Sequence, residues 1–168
     1  MQQHLKHFRY VMGENPVTIF AFLLFALIAI LAIFGPLITP YDPLATNTAQ
    51  TLKPPSWDHV FGTDHLGRDV FSRVIAATRL DLGIAVSAVA LSFFIGSMLG
   101  CSAGFWGGWT DRIVGRFSDT IMAFPLFVLA MGIVASMGNT VENIIYATAI
   151  INLPFYSRVA RAETSVRR

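Results

Sequence analysis

The feature that most constrains this chain is a set of long uncharged apolar runs. Val17 to Phe34 carries no charge, and neither does Leu82 to Trp106. At a rise of ~1.5 Å per residue, runs of this length cross most or all of a ~30 Å hydrocarbon layer. Only 13% of the 168 residues are charged, against about a quarter in a soluble domain, so a polar surface cannot be built around these runs. Two further runs follow. Thr120 to Met137 is interrupted only by Pro125, and the shorter Asn143 to Ser157 carries Asn143, Asn152 and Pro154. Polar and proline positions are tolerated in a membrane helix when neighbouring helices satisfy the freed groups. The expectation is an all-α polytopic membrane helix bundle with four transmembrane helices.

Pro16 suits a helix start, and Gly35-Pro36 is expected to end the first helix. The basic stretch before it resembles a signal peptide. The run is long, however, and Phe34-Gly-Pro lacks the small-x-small cleavage pattern, so it reads as a retained anchor. The lone cysteine, Cys101, lies inside an apolar run. It is expected to be a small buried core residue, with no disulfide framework.

Orientation follows from the lysine and arginine flanks. Lys6 and Arg9 precede the first run, Arg112 and Arg116 separate the second from the third, and Arg158, Arg161, Arg167 and Arg168 follow the fourth. On the other side Lys53, Arg68, Arg73 and Arg79 are balanced by Asp42, Asp58, Asp64, Asp69 and Asp81. The N-terminus is therefore expected in the cytoplasm. Three segments result: a cytoplasmic stretch 1–16, a first span with its outer loop at 17–81, and the start of a further transmembrane bundle at 82–168. Leu5, Phe8 and Met12 share a helical face, which fits either a short interfacial helix or a frayed tail. The outer loop is rich in proline. Its end, Asp69 to Leu82, places Val70, Val74 and Ala77 at helical spacing and reads as an amphipathic lead into the second span.

Gly96, Gly100 and Gly104 stand four apart, with Ser92 one step earlier. This small-residue stripe allows another helix to approach closely where lipid gives no hydrophobic drive. Arg116 and Asp119 are three apart and fit a structural ion pair at the headgroup level or, in the functional reading, a cytoplasmic gate. Pro125 would kink or break its helix, as in broken helices that line transport paths, or serve as a packing kink. His4 and His7 share a face and His59 and His65 lie in the loop, but no acidic or cysteine partner stands near either pair at ligand spacing. Asp64, His65 and Ser72 can be drawn as a triad, yet no nucleophile turn or oxyanion donors accompany them. A phosphate loop of the G-x-x-x-x-G-K-[ST] type does not occur, so nucleotide is not hydrolysed by these residues. The net charge of +2 is too small and scattered for a nucleic-acid binder. An enzyme reading is disfavoured, and no repeat between residues 1–84 and 85–168 supports a gradient-driven transporter.

Five blocks carry a family resemblance. Phe61-Gly-Thr-Asp-His-Leu-Gly-Arg-Asp-Val-Phe-Ser-Arg73 resembles the block before the second span of the inner-membrane permeases of peptide-type ABC importers, the dipeptide, oligopeptide, nickel and glutathione group. Phe34-Gly-Pro-Leu-Ile-Thr-Pro-Tyr-Asp-Pro43 resembles that family's exit from its first span. Leu99-Gly-Cys-Ser-Ala-Gly-Phe-Trp-Gly-Gly-Trp-Thr-Asp111 is similar to its second cytoplasmic turn, and Ala123-Phe-Pro125 to its third span. Tyr156-Ser-Arg-Val-Ala-Arg-Ala-Glu163 is similar to the approach to its ATPase-docking loop. The C-subunit of the dipeptide permease is the type matched.

The resemblance implies a type I importer permease of six spans that pairs with a homologous second permease, two ATP-binding subunits and a periplasmic solute-binding protein within membrane lipid. It implies no cofactor on this chain, since the partner subunits hydrolyse ATP. Asp119, Phe124, Pro125, Asn152 and Phe155 are then candidate path-lining residues. Gly62, Thr63, Asp64, Gly67, Arg68 and Asp69 are candidate contacts for the binding protein, with a self-satisfied scaffold loop as the alternative. Arg158, Arg161 and Glu163 stand at the candidate ATPase side. The family's docking element, glutamate-alanine-alanine followed by a glycine, and two more spans would lie beyond Arg168. A chain without them is expected not to couple to an ATPase. Two readings follow, a partial view of a longer permease or a truncated, non-transporting fragment that at most binds partner permease helices. Which solute is carried does not follow from these blocks.

Overall fold

The computed structural model describes residues 16–166, so the expected N-terminal interfacial segment lies outside the described residues. Among those residues the chain is helical, with a single isolated antiparallel bridge between Thr63 and Asp69. Helix α1 is Pro16–Ile38, a short 3-10 turn covers Thr48–Gln50, α2 is Val70–Trp106, α3 is Gly108–Met122, α4 is Leu126–Met137 and α5 is Val141–Val166. The chain forms two compact units, divided within α2 after Leu82.

In the first unit, the 23 residues of α1 give it a length of ~34 Å, enough to cross a bilayer core. It does not end at Gly35-Pro36 as the sequence suggests. Pro36 sits inside the last turn, and the helix closes with Thr39 N donating to Gly35 O at 3.0 Å. So near the terminus the missing proline N–H breaks little of the ladder. Gly35 instead permits a close approach, because a Cβ there would stand 2.9 Å from Ile75 Cγ2.

The loop behind α1 folds on itself. Asn47 N donates to Leu66 O (3.0 Å), Leu52 N to Asp64 O (3.1 Å) and Thr63 N to Lys53 O (3.1 Å). Gly67 takes φ +70°, and a Cβ on it would lie 1.7 Å from Asn47 O. Glycine is the one residue that meets both demands.

Helix α2 runs unbroken for 37 residues, so the expected lead-in and second span are one helix. Asp69 starts it by accepting a hydrogen bond from Ser72 N at 2.7 Å through Oδ2, as an N-cap does. By length and composition α1 and α2 can each cross a membrane. The pair α3 and α4, bent by 96°, makes a third if a bent pair is one span. The expected third run is thus not one helix. Pro125 leaves the helical region at ψ 128° and restricts Phe124 before it, so the chain turns sharply between Met122 and Leu126. Alone, the 12 residues of α4 measure only ~18 Å. Helix α5 absorbs the fourth run and continues through Arg158 and Arg161, with Pro154 fully buried inside it. It is not among the helices long and apolar enough to span by that measure.

The second unit is organised around α5, against which α3 and α4 pack. The small-residue stripe of α2 also meets it. A Cβ on Gly96 would stand 2.9 Å from Leu153 O, on Gly100 2.2 Å from Ser157 O and on Gly104 2.8 Å from Arg161 O. Ser92, fully buried, donates to Ala88 O at 2.7 Å within its own helix and reaches Ala149 O at 3.0 Å across the seam. Cys101, one position past Gly100, turns away from the seam and is exposed, contrary to the expected core position.

Gly100→Ala is expected to lower the thermal midpoint of the purified protein in detergent, by the ~1–3 kcal/mol typical of overpacking. Gly132→Ala, where an added Cβ meets no atom within 4 Å, is expected to cause no loss. Equal behaviour of the two variants would show that the seam does not hold the bundle.

Candidate functional site

Two groups of polar residues are built by the fold, one in each unit. In the loop of the first unit, Asp64 is the hub. Its Oδ1 accepts from the backbone amides of Leu66 (2.8 Å) and Arg68 (3.0 Å), and its Oδ2 accepts from Arg68 Nε (2.8 Å) and Arg73 Nη1 (3.0 Å). Partial burial pushes its carboxyl up, but the amides of Arg68 and Leu66 and the Arg68 guanidinium outweigh that and hold it at about 2.

Asp69 is the second hub. It is almost fully buried, caps α2 with Oδ2 and meets His59 Nδ1 with Oδ1 at 2.9 Å. Burial raises its pKa, while hydrogen bonds from Ser72 N, the Ser72 hydroxyl and His59 outweigh this and lower it overall. The other ring nitrogen of His59 stands 2.5 Å from Gln50 Oε1, and Tyr41 packs on the ring at 4.9 Å between centroids. Thr63 Oγ1 donates to Gln50 O and accepts from Lys53 N at 2.8 Å.

Gly62, Thr63, Asp64, Gly67, Arg68 and Asp69 thus come together in one knot, as their spacing suggests. His59, Gln50 and Tyr41 were missed. Their partners lie nine or more residues away in an irregular loop, where no periodicity points to them. His59 has an acidic partner in Asp69, ten residues along, a pairing that ligand spacing does not reveal. The paper triad is not assembled either: Asp64 is held by arginines, and the Ser72 hydroxyl accepts from Tyr41 N at 3.3 Å.

In the second unit, α3 and α5 are clipped together. Arg161 Nη2 donates to Asp111 Oδ2 at 2.7 Å, with Nε 2.5 Å from Oδ1, and Arg158 Nη2 donates to Asp119 Oδ1 at 2.8 Å. Asp119 therefore pairs with Arg158 across the helices rather than with Arg116 along its own. Beside Asp119 and Arg158 in the sequence, the Ser118 and Ser157 hydroxyls meet at 3.3 Å. A cavity of about 350 Å³ opens here, lined by Gly115, Ser118, Asp119, Ser157, Arg158 and Arg161 among others. Phe124, Pro125, Asn152 and Phe155 do not line it. Phe124 and Phe155 are half exposed, and Asn152 Nδ2 donates to Thr148 O in its own helix at 2.8 Å. Glu163 lies exposed near the end of α5.

The polar groups of both clusters are ion pairs, caps and helix clips. Comparison with known proteins then decides the family. Residues 5–55 match the N-terminal transmembrane domain of oligopeptide transport permease C, and residues 96–165 match the inner-membrane component of binding-protein-dependent transport systems. The dipeptide transport system permease protein DppC of Alkalihalophilus pseudofirmus is 37% identical over 150 residues, covering 89% of this chain and 49% of the relative. The nickel transport system permease protein NikC of Escherichia coli is 38% identical over 142 residues, 84% of this chain and 51% of the relative. The glutathione transport system permease protein GsiD of Pectobacterium atrosepticum is 37% identical over 151 residues, 89% and 50%. The chain belongs to the peptide-type inner-membrane permeases. It spans about half the length of the curated relatives it matches. This is a family of transport permeases rather than enzymes. The Phe61 to Arg73 block, where the loop knot lies, falls between the two matched stretches.

Because the folded-state pKa of Asp64 is depressed from 3.8 to about 2, its contribution to the loop is present above pH ~4 and is lost as pH falls through about 2. Limited proteolysis of the loop in detergent-solubilised protein is expected to accelerate across that acid window. Asp64→Asn is expected to make cleavage fast at every pH. A mutant loop as resistant as the wild type would refute the hub role of this carboxylate.

Proposed function

We propose that this chain forms part of the translocation path of an ATP-driven importer for peptides or a related small solute. The observation that carries the reading is the ordered pair of family matches, residues 5–55 then 96–165, together with 37–38% identity to permeases named for dipeptide, nickel and glutathione transport. In this reading the chain pairs with a homologous permease, two ATP-binding subunits and a periplasmic solute-binding protein, and does no covalent chemistry itself. Closure of the ATPases on ATP, with docking of the binding protein, rocks the two permeases between inward-open and outward-open states.

The N-terminus is then cytoplasmic, with four spans crossing in turn: α1, α2, α4 beyond the bend at Pro125, and α5. The gathering of Asp111, Asp119, Arg158 and Arg161 at one end of the second unit supports this orientation, because basic residues concentrate on the cytoplasmic side. That end would face the ATPases through Arg158, Arg161 and Glu163. The loop would face the binding protein. Its Asp64 and Asp69 hubs keep the backbone rigid, and Trp57, fully exposed beside Pro54 and Pro55, offers an apolar contact. Phe124, Pro125, Asn152 and Phe155 are assigned to the path, with Asp119 at its cytoplasmic mouth. A bent helix supports the assignment, since discontinuous helices commonly border transport sites.

The test is reconstitution. Expressed in bacterial membranes with its partner permease, the ATP-binding subunits and the binding protein, the chain is expected to co-purify with them. ATP hydrolysis is then expected to rise when loaded binding protein is added. Hydrolysis indifferent to the binding protein would remove the importer reading. In the same complex, cysteines placed at Phe124 and Phe155 are expected to react with a membrane-impermeant thiol reagent, and labelling that ignores ATP would remove their assignment to the path.

A further inference from the structure

The face of α3 turned away from α5 is not used by anything described so far. Val114, Ser118 and Ile121 are the buried side of this helix. Trp109, Ile113 and Phe117, four apart, form a second row and are 77%, 64% and 48% exposed. Arg112 and Arg116 form a third row beside it, both exposed, and the Arg112 guanidinium lies over the Trp109 ring at 5.8 Å from the centroid. The helix thus carries three stripes in order around its axis: one packed on α5, one apolar and uncovered, one cationic.

A helix meant to cross a bilayer would not carry an arginine row on its uncovered side. A helix meant for water would not leave a tryptophan, an isoleucine and a phenylalanine in a row uncovered. An apolar stripe bordered by arginines, with an aromatic anchor at its start, is what a helix lying in the membrane interface presents. The backbone agrees. Trp106 and Trp109 flank the Gly107-Gly108 turn at the end of the long apolar α2, and the 96° bend at Pro125 separates α3 from the apolar α4. α3 therefore adjoins a membrane-capable helix at its start and, across the sharp bend, the apolar α4 at its end.

We propose that α3 lies flat in the bilayer interface and binds anionic phospholipid: Trp109, Ile113 and Phe117 enter the acyl boundary, and Arg112 and Arg116 hold lipid phosphates. The proposal rests on the reading that the chain spans a membrane. Of the possible partners, an anionic lipid surface is favoured by charge. Asp111 and Asp119 are occupied by Arg161 and Arg158, while Arg112 and Arg116 form no ion pair among the described residues and stand next to the apolar row. Long side chains of this type reach the headgroups from a buried stem.

The experiment uses the full chain in nanodiscs. Of its three tryptophans, Trp57 and Trp106 are changed to phenylalanine, leaving Trp109 as the fluorophore. Nanodiscs of mixed phosphatidylcholine and phosphatidylglycerol are prepared with bromine on the chains of one lipid or the other. Trp109 is expected to be quenched more strongly when the phosphatidylglycerol is brominated, and high salt is expected to reduce the difference. Each arginine supplies roughly a fivefold local preference. Arg116→Gln is expected to weaken the difference, Arg112→Gln/Arg116→Gln to abolish it, and Arg112→Lys/Arg116→Lys to keep it. Emission quenched by acrylamide and indifferent to brominated lipid would overturn the proposal, since the row would then face water or await a protein. Quenching equal for both lipids, unchanged by the glutamine variants, would overturn the phosphate-binding part. A second reporter separates this from failure of the membrane reading. In a background free of the three native tryptophans, Phe94→Trp in the middle of α2 is quenched by brominated lipid whenever α2 spans. Quenching at 94 without quenching at 109 refutes the interfacial helix alone, and no quenching at either refutes the span.

Discussion

The close approach of α2 to α5 is the constraint on which the second unit depends. In lipid the hydrophobic effect does not bring helices together, so contact area must come from surfaces that fit. Gly96, Gly100 and Gly104 leave α2 without side chains along one line, and the backbone carbonyls of Leu153, Ser157 and Arg161 come near enough that a methyl would collide with them. Ser92 extends the line with a hydroxyl that reaches a carbonyl across the seam. Once α5 is seated there, its other sides receive α3 and α4. The two Asp–Arg pairs then close α3 onto it at the charged end. These pairs are half exposed, a setting in which each is worth only ~0.2–1 kcal/mol, so they set the register of α3 more than they hold the bundle.

The loop of the first unit solves a different problem. It has no disulfide and little apolar core, and four prolines deny it a regular backbone. Two carboxylates replace a core. Asp64 gathers the amides and guanidinium groups of its own turn, and Asp69 ties the start of α2 to His59 and through it to Gln50. Charge-assisted bonds of this kind are roughly twice as strong as neutral ones. A loop held in this way keeps one shape while its tip, with Trp57, stays uncovered.

Legibility differed between elements for identifiable reasons. Val17 to Phe34 was legible because an uncharged run of that length has one stable solution in a bilayer, and the helix simply ran four residues further. The stripe on α2 was legible as a packing face because small residues four apart align on one side. The third run is broken at Pro125 into two helices, as its proline suggested. Composition shows that Pro125 interrupts it, while the size of the bend depends on how Met122 and Leu126 are held by their neighbours. Asp119 was assigned to Arg116 because only neighbours along a helix are visible in sequence; its partner lies 39 residues away. His59 was passed over for the same reason.

The sequence alone determined that the chain is a membrane helix bundle of the peptide-permease type, because run length, charge placement and ordered motif blocks are local properties. Tertiary structure decided which polar groups meet: His59 with Asp69, Arg158 with Asp119, Arg161 with Asp111. It also decided that Cys101 faces outward and that α3 turns away from α4. Those outcomes depend on distances between residues far apart in the chain, which only the packed helices and the folded loop set.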